Sequence, residues 1–173
     1  MIDERIKIAE KIYDNAITDR YDYALNICSE VLCDSDNAME IYLAHEVRCS
    51  IYLSMGKVLE AIDEASIMVD IEKMQPHPLF KRALLFIKAG KNKEAISDLT
   101  KVLCFNDDYF REAALLLRSF ANLNIDNAQS CSDAKLLDDG FFYFIGTKDF
   151  GYRRFSKEDL LKMACNQGRS ETK

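Results

Sequence analysis

The chain has 173 residues, of which 49% are hydrophobic and 30% charged, and its formal net charge is −6. Only 6 glycines and 2 prolines are present, too few for a many-stranded β fold, which needs turn residues about every 8–12 positions. No apolar run approaches the ~18 residues of a membrane-spanning helix, and the acidic start Met1–Arg5 does not have the form of a secretory signal. We therefore expect a predominantly helical, cytoplasmic protein that does not bind membranes.

The charge is unevenly distributed along the chain. Residues 1–146 carry 16 Lys and Arg against 25 Asp and Glu, a balance of −9, whereas residues 147–173 carry 7 against 4, a balance of +3. Nucleic-acid binding requires clustered Lys and Arg that contact phosphates, so the acidic body argues against a nucleic-acid partner. An acidic surface serves solubility, and it also fits a basic protein partner.

Internal self-similarity of the sequence predicts four consecutive pairs of helices. The first pair covers about residues 3–18 and 21–33, the second 38–54 and 58–71, the third 78–88 and 91–105, and the fourth 108–123 and 126–137. Pro78 is well placed to open the fifth helix, because the first helical turn does not need the missing N–H.

Two of these pairs repeat each other residue by residue. Gly56–Asp63 and Gly90–Ser97 share Gly, Lys, Glu, Ala and Ile at equivalent positions 34 residues apart, and the same offset relates Arg48 to Arg82. Glycine after the first helix of each pair predicts a left-handed turn, which glycine adopts at little cost. The small alanine early in the second helix lets the paired helices approach closely.

A 34-residue period of helix–turn–helix units resembles the tetratricopeptide repeat (TPR) family. The resemblance is clearest in two repeats at about residues 44–75 and 78–108. With degenerate repeats at either end, it extends over a domain of residues 1–139. It implies an all-α fold, a right-handed α-α superhelix (a TPR-like solenoid of about four helix hairpins) whose first helices line a concave surface.

One branch of this family grips the acidic C-terminal tails of heat-shock chaperones with Lys, Asn and Arg side chains on the first helices. Aligned on the helix alanines, this chain has Val47 where the Asn of the second repeat should be, and His77 and Lys81 at the positions of the third. The basic clamp is largely absent, so we do not expect that role.

Membership of the family implies a small adaptor or dedicated chaperone that binds a protein or peptide partner. The alignment places on the concave surface Glu46, Ser50, Phe80, Leu84, Lys88 and Arg118. This mixture of apolar and charged groups suits a helix or extended peptide laid in a groove. Two alternatives stay open: a self-associating structural protein, and an acidic, immunity-type inhibitor that neutralises a basic toxin or effector.

Residues 140–173 depart from the repeat pattern and are predicted to cap it. They contain a cluster of aromatic residues, Phe141, Phe142, Phe144, Phe150, Tyr152 and Phe155, and a predicted last helix at about residues 157–166. The aromatic residues either pack on the preceding helix, as a terminal repeat requires, or stay partly exposed as a contact patch or homodimer interface. A short β-hairpin around residues 146–149 is a further alternative.

Residues that could carry chemistry are few. The six cysteines include no Cys-x-x-Cys pair and no metal-ligand spacing, and five lie in helical patterns, so we expect reduced thiols packed as small apolar residues. His45 and His77 have no nucleophile or carboxylate at a diagnostic spacing, and no Gly-rich phosphate loop is present. We expect no enzymatic activity, no cofactor and no metal.

Overall fold

The computed structural model describes residues 2–123, 125–147 and 151–165, with the backbone alone at residues 147, 151 and 152. Within these residues the chain is predominantly helical. The elements in chain order are α1 (Glu4–Asp14), a 3₁₀ turn (Thr18–Arg20), α2 (Tyr21–Asp34), α3 (Ala38–Ser54), α4 (Val58–Ile71), α5 (Pro76–Lys88), α6 (Asn92–Cys104), α7 (Asp108–Asn122), α8 (Asn127–Lys135), β1 (Phe142–Thr147), β2 (Gly151–Ser156) and α9 (Lys157–Cys165). Among the described residues, none of these helices is both long enough and apolar enough to cross a bilayer.

The chain divides into an N-terminal unit, residues 1–74, and a C-terminal unit, residues 75–173. In each unit, consecutive helices pack against each other. The predicted all-α class is confirmed in this general form, with one small two-stranded sheet in addition. The right-handed superhelix and the boundary at residue 139 stay predictions.

The N-terminal unit consists of two helix pairs, with α1 on α2, α3 on α4, and α3 also against α1 and α2. Ala24 and Ala61 are fully buried where the paired helices meet, as the repeat pattern predicts. The large side chains of its core belong to Ile6, Ile12, Tyr21, Ile27, Val31, Val47 and Ile51. Full burial of one such aliphatic side chain stabilises the fold by about 1.5–3 kcal/mol.

The helix-ending glycines adopt the predicted left-handed conformation. Gly56 and Gly90 both have φ of +75°. The N–H of Lys57 donates to the carbonyl of Tyr52 at 2.8 Å, and the N–H of Lys91 donates to the carbonyl of Phe86 at the same 2.8 Å. This hydrogen bond spans the helix end and satisfies a carbonyl that has no partner inside the helix. The two turns are therefore equivalent in geometry as well as in sequence.

The C-terminal unit contains the four helices α5 to α8, packed in sequence, followed by the β-hairpin and α9. α5 begins at Pro76, two residues before the predicted start, because both Pro76 and Pro78 fit its first turn. β1 and β2 pair antiparallel, with Phe142 opposite Ser156 and Thr147 opposite Gly151. The hairpin proposed as an alternative is thus confirmed.

Strand alternation divides the aromatic cluster into a buried set and an exposed set. Phe155 is fully buried and its ring lies 4.8 Å from that of Phe120 on α7. Phe142 and Phe144, two residues apart on β1, are 44% and 51% exposed. Successive side chains of a strand point to opposite faces, so the hairpin packs Phe155 against α7 and leaves Phe142 and Phe144 exposed. The packing on the preceding helix α8 and the contact patch stay predictions.

The expectation that all six cysteines are reduced is wrong for two of them. Cys131 on α8 and Cys165 on α9 form a disulfide, with Cα atoms 5.7 Å apart across 34 residues of sequence. α9 folds back onto α8, and this brings the two thiols together in a way that sequence spacing does not reveal. Cys28 and Cys49 are buried thiols outside the disulfide, as expected, whereas the thiols of Cys33 and Cys104 are exposed.

A buried ion pair joins the two helices of three successive hairpins. An arginine of the first helix contacts a carboxylate of the second, with nitrogen–oxygen distances of 2.7 to 2.8 Å. The pairs are Arg48–Glu64, Arg82–Asp98 and Arg118–Asp133. The first two are offset by 34 residues at both partners, so the repeat extends to the polar contacts inside each hairpin.

Candidate functional site

An open groove of about 430 Å³ lies in the C-terminal unit, between α5, α7 and the segment that leads into β1. Its walls are mostly aromatic. The lining residues are His77, Phe80, Lys81 and Leu84 from α5, Tyr109, Phe110 and Ala113 from α7, and Phe141, Phe142 and Tyr143 from the third wall.

The α5 wall follows from helical periodicity. His77, Phe80, Lys81 and Leu84 occupy positions i, i+3, i+4 and i+7, which lie on one face of a helix. This face spans about two helical turns, roughly 10 Å. Phe80 is buried, Lys81 and Leu84 are half-buried and His77 is exposed, so this face passes from the core to the surface.

Contacts between rings hold the aromatic residues in place. The Phe110 ring lies 5.1 Å from Phe80 and 4.9 Å from Tyr109, and Phe80 meets Tyr143 edge-on at 6.4 Å. Tilted and edge-to-face pairs at these distances are favourable arrangements of aromatic quadrupoles. The groove floor is therefore preorganised rather than dependent on a ligand for its shape.

The third wall is anchored by polar contacts on either side of Gly140. The Glu112 carboxylate on α7 accepts a hydrogen bond from the backbone N–H of Asp138 at 2.9 Å. Lys157 Nζ, at the start of α9, donates to the carbonyl of Leu137 at 2.7 Å and to Asp139 at 2.8 Å. The hydrogen bond from Lys157 lowers the pKa of the Asp139 carboxyl, so this contact persists in the charged form.

Much of the aromatic surface is open to solvent. Tyr109 is 85% exposed, at the rim on α7, and Phe142 is 44% exposed on the opposite wall. Large aromatic side chains bury about 150–250 Å² each when they are covered. A contiguous exposed aromatic surface with this concave shape is typical of a binding site.

Lys81 supplies a positively charged side chain to the groove lining. His77 and Lys81 are part of the lining, and among the lining residues there is no Asp or Glu. The Arg154 guanidinium lies 4.0 Å from the centre of the Phe142 ring, a cation–π contact made by a residue outside the groove lining. The lining itself holds no carboxylate, whereas Glu112, Asp138 and Asp139 lie beside the third wall.

Four of the predicted site residues come together in this groove. Phe80 and Leu84, placed on the concave face by the repeat alignment, meet Phe141 and Phe142 of the aromatic cluster. Lys88 lies one turn beyond Leu84 on α5, half-buried and outside the lining.

The other predicted residues lie elsewhere. Glu46 and Ser50 are half-buried on α3 in the N-terminal unit, where the Ser50 hydroxyl donates to the Glu46 carbonyl at 3.0 Å. The Arg118 guanidinium makes two bonds to Asp133, at 2.8 and 2.7 Å, and thus joins α7 to α8.

Of the remaining aromatic residues, Phe144 is exposed outside the groove lining and Phe155 is buried. Phe150 and the side chain of Tyr152 lie outside the described residues.

Sequence reasoning missed the α7 wall and Tyr143. Tyr109, Phe110 and Ala113 stand at positions i, i+1 and i+4 in the first turns of α7. The adjacent pair Tyr109–Phe110, shortly after the capping Asp107, was an available signal, because the repeat pattern does not account for two neighbouring aromatic residues at a helix start.

The N-terminal unit contains a buried polar cluster at the centre of the α3–α4 pair. Glu64 accepts from His45 Nδ1 at 2.6 Å and from Arg48 Nε at 2.8 Å. Burial alone would raise the pKa of Glu64, but the two hydrogen bonds outweigh it and the pKa is lowered overall. The carboxylate therefore stays charged and joins the two helices.

The described residues do not add a reactive nucleophile to this polar cluster. Cys28 is the nearby thiol, and burial raises its pKa to about 12 although Arg48 acts in the opposite direction. A thiol with that pKa is almost entirely protonated near neutral pH, and the protonated form is a poor nucleophile. The geometry fits a structural ion-pair network.

Comparison of the chain with protein-family models, with curated proteins and with solved structures finds no match. The resemblance to tetratricopeptide repeats thus rests on the repeat pattern in the sequence. Within the described residues, no three His, Cys, Asp or Glu side chains are grouped as metal ligands.

Proposed function

We propose that this protein is a non-enzymatic interaction module of tetratricopeptide-like repeats, and that its groove between α5, α7 and β1 binds a segment of a partner protein. The observation that carries the proposal is the open aromatic groove of about 430 Å³ in the C-terminal unit. Binding in such grooves is driven by burial of large apolar side chains against preformed pockets.

Two separate sequence patterns predict residues that line this groove. The repeat register predicts Phe80 and Leu84 as binding residues, and aromatic clustering predicts Phe141 and Phe142. The rings are fixed by mutual contacts, which reduces the entropy lost when a partner binds. An adaptor or dedicated chaperone needs such a rigid receptor for a short segment.

Selection of a displayed library of random dodecapeptides on the full chain tests the proposal. Peptides that bind in the groove should lose about tenfold or more in affinity when Leu84→Glu or Tyr109→Ala is introduced, because both changes remove apolar contact area. Tyr23→Ala is the matched control: Tyr23 is an exposed tyrosine (56%) on α2 in the N-terminal unit. Peptides that bind wild type and Leu84→Glu equally would show that the groove is not the receptor.

Self-association is a second candidate, favoured by the exposed side chains of Phe142 and Phe144 on one face of the β-hairpin. Light scattering of wild type and Phe144→Lys distinguishes it, because an interface on this face should not survive a charge at its centre. A monomeric mass for both proteins across the concentration range would eliminate it. The groove lining contains no Asp or Glu, so it offers no support for the acidic-inhibitor alternative.

A further inference from the structure

We infer that the Cys131–Cys165 disulfide is a redox switch for the aromatic groove: it holds the third wall in place when oxidised and releases it when reduced. The effect on partner binding rests on the proposed function. The observation that carries the inference is that the disulfide closes a loop across 34 residues, and that this loop contains Phe141, Phe142 and Tyr143 of the groove lining.

The disulfide attaches the third wall at its second end. The wall follows α8 in the chain, so its first end is attached covalently to the helical repeats. Its other end leads through β1 and β2 into α9, whose last residue is Cys165. Reduction therefore converts a segment that is covalently closed at both ends into one that is attached only through α8.

The elements inside the loop are too short to be stable on their own. β1 and β2 form a two-stranded sheet, and an isolated hairpin of this kind is at best marginally stable in water. α9 has nine residues, fewer than the ~12–15 below which an isolated helix is marginal. Their large, fully buried side chains are Ile145, Phe155 and Leu160. The segment therefore depends on its docking against α7 and α8.

Loop entropy determines the size of the effect. A disulfide restricts the opened forms of the loop that it closes and leaves the docked form unchanged. For a loop of 34 residues, its removal should raise the population of opened forms relative to the docked form by roughly 10²–10³. Because only the docked form has a complete groove, the apparent affinity for a partner falls with the docked fraction.

The disulfide is accessible to a reductant. Cys165 is exposed and Cys131 is half-buried, so a thiolate of a dithiol reductant can attack Sγ of Cys165 and release the Cys131 thiolate, which takes up a proton. The second thiol of the reductant then attacks the reductant sulfur of the mixed disulfide and releases the Cys165 thiolate, which is protonated in turn. The protein gains two electrons and two protons, and the reductant becomes a cyclic disulfide. The same exchange in reverse closes the loop again.

The response should be specific to this pair of cysteines. Cys33 and Cys104 are exposed thiols on α2 and α6, outside the closed loop. Burial raises the pKa of Cys28 to about 12, so this thiol stays protonated and reacts slowly. Replacement of Cys33 and Cys104 by serine therefore provides a matched control.

Hydrogen exchange of the full chain tests the switch without a partner. Backbone exchange is followed by mass spectrometry after equilibration with oxidised or with reduced dithiothreitol. We expect reduction to speed exchange in residues 142–147 and 151–165 by roughly 10²-fold or more, and exchange in α6 by less than about threefold. Cys131→Ser/Cys165→Ser should exchange at the fast rate in both buffers, whereas Cys33→Ser/Cys104→Ser should respond as the wild type does.

Three results of this experiment would overturn the switch. Exchange in the hairpin and α9 that is the same in both buffers would show that the disulfide does not hold them. Exchange that rises equally in α6 would show global unfolding instead of local release. Loss of the response in Cys33→Ser/Cys104→Ser would assign it to other thiols.

Binding measures the functional consequence. Cysteine-free peptides enriched on the oxidised chain are titrated by fluorescence anisotropy in the same two buffers. We expect binding at least about fivefold weaker after reduction, and equally weak binding to Cys131→Ser/Cys165→Ser in both buffers. Peptides that require Leu84 but bind equally in both buffers would overturn the switch and leave the groove as the receptor. Peptides that bind regardless of Leu84→Glu would overturn the groove, while hydrogen exchange still decides whether the disulfide holds the wall.

Discussion

Removal of Asp133 tests whether the recurring ion pairs hold the hairpins together. The Asp133 side chain is 1% exposed, and it accepts two bonds from Arg118, whose side chain is 16% exposed. It also accepts a hydrogen bond from Gln129 Nε2 at 2.8 Å. Asp133→Ala would leave the guanidinium largely buried and without its countercharge.

The expected cost follows from the burial of the two groups. Removing one partner of a buried ion pair costs about 3–5 kcal/mol, because the remaining charge is left in the interior. Arg118 also bonds to Thr100 Oγ1 at 3.2 Å and is partly accessible to water, so we expect the lower end, about 3 kcal/mol. At about 2–4 °C per kcal/mol for a chain of this size, the midpoint of thermal unfolding should fall by roughly 6–12 °C.

Urea unfolding followed by circular dichroism at 222 nm measures the effect. Arg111→Ala is the control: it breaks the exposed pair of Arg111 with Glu112, and exposed pairs contribute no more than about 1 kcal/mol. The double variant Arg118→Met/Asp133→Leu should recover most of the loss, since it removes both charges and keeps apolar volume. The reasoning is refuted if Asp133→Ala unfolds within about 1 kcal/mol of wild type, or if the double variant is as unstable as the single one.

Three further predictions concern stability. The pKa of Glu64 is lowered from its ordinary value of 4.5, so its contribution is present above about pH 4.5 and is lost as the pH falls through the lower folded-state pKa. Urea midpoints of wild type and Glu64→Gln should therefore converge as the pH falls below 4.5, and a pH-independent difference would contradict this. Gly90→Ala should cost roughly 1–2 kcal/mol, since a Cβ meets no atom within 4 Å but φ is +75°. Gly90→Asn should cost less, because asparagine adopts a positive φ more readily than alanine. Equal losses of unfolding free energy in the two variants would show that the positive φ is not the cause. Cys165→Ser opens a loop closed across 34 residues, and loop entropy predicts a loss of about 3–4 kcal/mol in the unfolding free energy. In reductant, the wild type should have the same unfolding free energy as Cys165→Ser. A wild type whose unfolding free energy does not change in reductant would refute the estimate.

Helix bounds were predictable where local signals at both ends agree. The predicted ranges of α3 and α4 match the structure, because Asn37 caps the start of α3 with its side chain and Gly56 ends it. α1 stops at Asp14, four residues before its predicted end, because Ala16 takes a left-handed φ of +50°. An alanine in that conformation has no sequence signature.

The candidate site was predictable only where a local pattern marks its residues, and aromatic clustering marks Phe141 and Phe142 in this way. Phe80 and Leu84 follow from helix register, which is a local property. Tyr109 and Tyr143 line the groove because α7 and the β-hairpin come together in space, and no spacing rule connects them. The Cys131–Cys165 disulfide escaped prediction for the same reason.

The arginine–carboxylate pairs also constrain how the two helices of a hairpin align. Alanine and leucine faces tolerate sliding, because one apolar contact replaces another at similar energy. A shift of one helical turn in the α5–α6 pair would separate Arg82 from Asp98, whose side chain is 3% exposed. Each charge would then lose its countercharge, at a cost of several kcal/mol in the free energy of folding. Each ion pair therefore fixes the register of its two helices and disfavours shifted hairpins that apolar contacts alone would tolerate.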